Sequence, residues 1–114
     1  MILFLDTVSP LPEFSLIQEN KIIYSKKILN NDLDKISDCI IPAYIHLEKK
    51  FLLKTKLQCL ITNTGPGSYT ALRVGIAFLC GLSIAQKIDL IGLSCLDLYL
   101  YAINRDQFNS SVLY

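Results

Sequence analysis

The chain has 114 residues, 52% hydrophobic and 18% charged, with a formal net charge of +1. That is enough apolar material for one compact core, and it excludes a disordered chain. The near-neutral balance also excludes the basic footprint of a non-specific nucleic-acid binder.

The first apolar run, Ile2 to Leu5 ended by Asp6, has the pattern of a buried strand. It is too short, and lacks the basic leader, to be a secretion signal, so a cytoplasmic location is expected. Asp6 and Thr7 stand where many α/β proteins place a catalytic acid or a phosphate contact. The following loop contains Pro10 and Pro12 and no glycine, so a carboxylate bonding nearby loop N–H groups is the preferred reading. Phe14 to Ile17 and Lys21 to Leu29 read as two strands of an antiparallel hairpin, joined by Gln18, Glu19 and Asn20.

Leu33, Ile36, Ile40, Tyr44, Leu47 and Phe51 then step by three or four residues, predicting an amphipathic helix over 32–52 capped by Asn31 or Asp32. Pro42 falls inside it and removes one backbone hydrogen bond, so one bent helix is expected. His46, the only histidine, is read as part of a solvated face. Lys49, Lys50, Lys54 and Lys56 suit a helix C-terminus, where cations complement the macrodipole. Cys39, Cys59, Cys80 and Cys95 form no CxxC pair and read as small core hydrophobes in a reducing compartment.

A strand over 58–61 leads to Gly65, Pro66 and Gly67, a tight turn with Ser68 placed as an N-cap. This turn lacks the spacing and lysine of a phosphate-binding P-loop, and Pro66 has no N–H to offer an anion. From Ala71 to Ala85 the sole charge is Arg73, and Ala77, Gly81 and Ala85 recur every four residues on one face. Gly75 and Gly81 each cost about 1 kcal/mol relative to alanine in a helix interior. Such a helix is expected to cover the sheet on one side and await a partner on the other. Its apolar stretch, 74–85, is shorter than the roughly 20 residues of a membrane span. Leu90 and Ile91 form a short strand, 95–103 a further helix, and 111–114 the start of another strand. This order predicts an α/β layer in which a meander feeds parallel crossovers.

The segments ILFLDT at 2–7, GPGSYTALRVGIAFLCGLSIA at 65–85 and IGLSCLD at 91–97 resemble the N-terminal lobe of the TsaB (YeaZ) family. That family belongs to the actin-like ATPase (ASKHA) superfamily and is related to the Gcp/TsaD proteins. The resemblance implies a ribonuclease-H-like α/β lobe with a mixed central sheet flanked by helices. It implies residues 1–114 as a single Gcp-like lobe whose C-terminal companion lobe is absent or truncated.

It also implies a non-catalytic subunit in the biosynthesis of N6-threonylcarbamoyladenosine at position 37 of tRNA. Such a subunit supports a TsaD-like catalytic subunit, works beside a TsaE-like ATPase, and meets tRNA only indirectly. No catalytic, cofactor or metal residue is expected, because TsaD-like proteins hold their metal through a histidine pair on the helix that here spans 68–86, and this chain has none there. The expected interface for a TsaD-like partner or a homodimer is Leu33, Ile36, Ile40 and Tyr44 with Arg73, Ala77, Gly81 and Ala85. Gly65, Pro66, Gly67 and Ser68 serve as structural turn and cap. The rival readings are an ATP-using or glycoprotease-like enzyme, and a self-associating fragment without activity.

Overall fold

A computed structural model describes residues 1–98 and 100. Five strands, β1 (Ile2–Asp6), β2 (Glu13–Gln18), β3 (Lys21–Lys27), β4 (Cys59–Asn63) and β5 (Asp89–Leu93), form one mixed sheet in the order β3-β2-β1-β4-β5. The β1–β2 and β2–β3 pairs are antiparallel, whereas β1–β4 and β4–β5 are parallel. The hairpin turns at Glu19 and Asn20, both with left-handed φ (54° and 64°), the backbone twist that two-residue hairpin loops require.

Helix α1 (Ile36–Phe51) and helix α3 (Tyr69–Gln86) frame a short α2 (Leu53–Lys56). Strand register aligns Leu3 with Leu16 and Leu60, and Leu5 with Phe14. These buried side chains form one cluster with Ile36, Ile40, Tyr44 and Leu47 of α1 and Leu79 of α3. The rings of Phe14, Tyr44 and Phe78 pack edge-wise, their centroids 5.4–6.3 Å apart, where the two helices meet the sheet.

Three expectations change. Helix α1 starts at Ile36 rather than residue 32, and Lys35 precedes it with no side-chain cap. The polar side chains upstream satisfy local backbone instead: Asn30 N and Asn31 N donate to Asp34 Oδ2 (2.8 and 3.1 Å), and Leu33 N donates to Asn31 Oδ1 (3.0 Å). This competition between turn and helix is typical of Asn and Asp. The helix then runs unbroken through Pro42 and stops at Leu52, whose left-handed φ of 55° turns the chain into the unexpected α2. Strand β4 continues through Thr62 and Asn63, which are buried rather than part of the turn. The predicted helix over 95–103 begins as helical residues 95–98, while the rest of that segment except Leu100, and the strand expected at 111–114, lie outside the described residues. Ser94 and Asp97 cap this start reciprocally: Asp97 N donates to Ser94 Oγ (3.0 Å) and Ser94 N to Asp97 Oδ2 (3.2 Å).

Candidate functional site

The loop after β1 closes on itself. Val8 N and Ser9 N donate to Asp6 Oδ1 at 2.9 and 3.3 Å, so the strand-end carboxylate orders its own loop, as expected from the prolines downstream. Thr7 is buried beneath α3, and its Oγ1 finds no hydrogen-bond partner among the described residues. A Cβ at Gly75 would lie 2.9 Å from Thr7 Cγ2 and 3.0 Å from Leu5 Cδ2. Gly75 is therefore glycine because the helix backbone touches the end of β1.

The glycine turn is likewise occupied by its own chain. Gly65 N donates to Asn63 Oδ1 (3.0 Å), and Gly65 O accepts from Cys95 N (2.7 Å). Val8 Cγ1 lies 3.0 Å from where a Gly67 Cβ would be. Ser68 Oγ accepts from Ala71 N at 3.5 Å, capping α3. Gly65, with φ of 102°, needs the conformational freedom of glycine.

The expected interface splits in two. Ile36, Ile40 and Tyr44 lie in the chain's own core, against the sheet and α3. Leu33 is 92% exposed but sits in the turn before α1. The period of three and four correctly marks an apolar stripe on α1, yet periodicity alone does not distinguish a sheet from a partner as its cover. By contrast, Arg73, Ala77, Gly81 and Ala85 are all exposed and share the outer face of α3 with Tyr69 and Ile84. Arg73 stacks over the Tyr69 ring at 5.3 Å, and among the described residues nothing lies within 4 Å of a Cβ built on Gly81. With mean hydropathy 1.3 over 18 residues, α3 has the length and composition of a membrane span, more than the 74–85 stretch suggested. Its inner face is nonetheless held by the sheet through Gly75 and Leu79.

One tie between the helices was not foreseen. Gln86 Nε2 donates to the Tyr44 hydroxyl (3.2 Å), which donates to Glu48 Oε2 (3.5 Å). Burial pushes the Tyr44 phenol up and the Glu48 charge adds to that, while the Gln86 bond opposes it. Gln86, the polar residue that closes a largely apolar helix, was the available signal. The Cys39 thiol is raised by desolvation and by Asp34 and Asp38, and that of Cys59 by burial and then Asp89. Cys80 is exposed, against the expectation of four core cysteines. His46 is exposed on α1. Among the described residues no three His, Cys, Asp or Glu side chains gather as a metal-binding group.

A family model described as "TsaD: tRNA N6-adenosine threonylcarbamoyltransferase" matches residues 31–113. No curated protein matches the chain. Among solved structures, YeaZ from Pseudomonas aeruginosa aligns with a TM-score of 0.71 at 21% identity, covering 93% of this chain and 49% of that one. A second structure, titled an uncharacterized protein with similarity to peptidase YeaZ from Pseudomonas aeruginosa, aligns at 0.68 and 21%, covering 82% and 42%. The chain thus spans about half the length of the solved structures it matches. With the α/β fold of YeaZ and a family match across most of its length, the chain belongs to the TsaD (tRNA N6-adenosine threonylcarbamoyltransferase) family.

Proposed function

We propose that this chain is a non-catalytic scaffold in the formation of threonylcarbamoyladenosine on tRNA, a cytoplasmic lobe that binds and supports a TsaD-like catalytic subunit. The observation that carries this reading is the outer face of α3, where Arg73, Ala77, Gly81 and Ala85 stand exposed with open space over Gly81. Small side chains there let a second helix approach closely, and apolar neighbours such as Ile84 (79% exposed) gain about 1.5–3 kcal/mol each if fully covered. A homodimer through the same face is the competing state, and a TsaE-like ATPase joins the assembly through the catalytic subunit. Residues 1–114 act as one lobe, and the protein touches tRNA only through its partners.

The family description itself favours a second reading, a threonylcarbamoyl-transferring enzyme. Against it, the Asp6 carboxylate already accepts from two N–H groups of the loop that follows it, and Val8 packs beside Gly67. The single histidine lies on α1 rather than in a pair on α3. The test is to mix the purified chain with the TsaD-like protein of its own source and measure both complex formation and ATP binding by calorimetry. A complex with the partner and no saturable micromolar ATP binding by the chain alone is expected. Tight ATP binding without a complex would establish the second reading instead.

A further inference from the structure

We infer that the partner helix on the outer face of α3 presents a carboxylate to Arg73, an inference that rests on the docking role proposed for this face. The face then recognises its partner through one charge pair set within an apolar contact.

Tyr69, Arg73, Ala77, Gly81 and Ala85 are spaced by four and form one ridge along α3. All are exposed. Arg73 therefore stands within the ridge, between Tyr69 and Ala77, rather than at its margin. Its guanidinium lies 5.3 Å from the centre of the Tyr69 ring, which restricts its freedom before any partner arrives. Beside it, Thr70, Val74 and Ala77 line with Arg73 an open cleft of about 320 Å³. That is room for a side chain of an opposing helix.

The lobe itself leaves this charge unanswered. Helix α3 has no acidic residue, none lines the cleft, and among the described residues Arg73 forms no ion pair. A helix laid over the ridge takes Arg73 out of water, and a desolvated guanidinium without a counter-charge is strongly unfavourable. A carboxylate on the arriving helix removes that penalty, and the planar guanidinium can hold it through two parallel N–H donors. A second copy of this chain is a poorer match. Two α3 ridges bring no carboxylate of their own, and the first charges beyond the C-terminal end of each, Lys87 and Asp89, have opposite signs and offset each other. A carboxylate opposite Arg73 separates the catalytic partner from a homodimer.

The experiment measures, by titration calorimetry, binding of the TsaD-like protein of the same source to the wild-type chain, Arg73→Met, Arg73→Lys and Gly81→Leu. Methionine keeps the apolar stem but leaves the partner's carboxylate buried without a counter-charge, so affinity should fall by about tenfold or more. Lysine restores the charge and should recover part of that loss. Arg73 is exposed, so the thermal stability of the isolated variants should match the wild type. Binding of Arg73→Met as tight as the wild type would overturn the proposal, because an arginine that only reached out to solvent loses nothing as methionine. A lysine variant no better than methionine would overturn it as well. Weakened binding in Gly81→Leu alone would keep the docking face and remove the charge pair, whereas no binding by the wild type would remove both. A homodimer dissociated by Arg73→Met in sedimentation would assign the carboxylate to a second copy and overturn the proposal.

Discussion

Helices α1 and α3 cover the same face of one sheet and touch each other, yet they bury different shares of their length. The buried residues of α1 are Ile36, Ile40, Ala43, Tyr44 and Leu47, while Ile41 and Ile45 stand exposed beside His46, Lys49 and Lys50. Only Gly75 and Leu79 of α3 are fully buried, and Ala77, Gly81, Ile84 and Ala85 remain in solvent. An amphipathic helix in a small lobe completes the lobe's own core. A helix apolar on most sides in the same place supplies more apolar surface than the sheet removes, and that surplus is what the proposed function assigns to a second protein.

The largest expected effect contrasts those two faces directly. Leu47→Ala removes a fully buried side chain from the core and should cost about 2–5 kcal/mol in a urea unfolding experiment. Ile84→Ala, on the outer face, should change stability by no more than about 0.5 kcal/mol. Equal costs at the two positions would mean that α3 is packed all round within this chain, and the contrast would vanish.

The two helical glycines sharpen it further. Gly75→Ala forces a methyl group against Thr7 Cγ2 and Leu5 Cδ2, and should destabilise by about 1–3 kcal/mol. Gly81→Ala meets nothing within 4 Å and should stabilise by about 0.5–1 kcal/mol through helix propensity. Thermal denaturation of both variants checks the opposite signs, and Thr7→Ser in the Gly75→Ala background should restore part of the loss.

A smaller effect probes the tie between the helices. The Tyr44 phenol is raised above its ordinary value by burial and by Glu48, so the unfolded chain loses this proton at a lower pH than the folded one. Stability from this group is complete below about pH 10, and declines as pH rises from there through the folded value. Tyr44→Phe should flatten that part of an alkaline stability curve. An unchanged curve would show that Tyr44 is not the group that titrates.

Much of this was legible in the residues, and the failures have physical causes. Strand alternation and the Glu19–Asn20 turn located the hairpin, and Ser68 before an apolar run located the start of α3, because those signals are local. The start of α1 was misplaced because Asn31 and Asp34 can satisfy backbone groups in a turn as readily as cap a helix. The spacing of Ile36, Ile40 and Tyr44 states that they are buried but not by what, and the interface role came from the family resemblance; in this fold they join the chain's own core. Gly75 and Gly81 carry the same propensity penalty, and only the approach of Thr7 to one of them separates a packing requirement from an open surface.

The outer face of α3 carries the proposed partnership, and Gly81→Leu tests it most directly. Leucine there meets empty space in the chain itself but would hold a docked helix away. Titration calorimetry against the TsaD-like partner should show binding weakened by at least about tenfold, the equivalent of ~1.4 kcal/mol, with thermal stability of the isolated chain equal to or above that of the wild type. Binding as tight as the wild type, together with that retained stability, would contradict the claim that this face is where the partner docks.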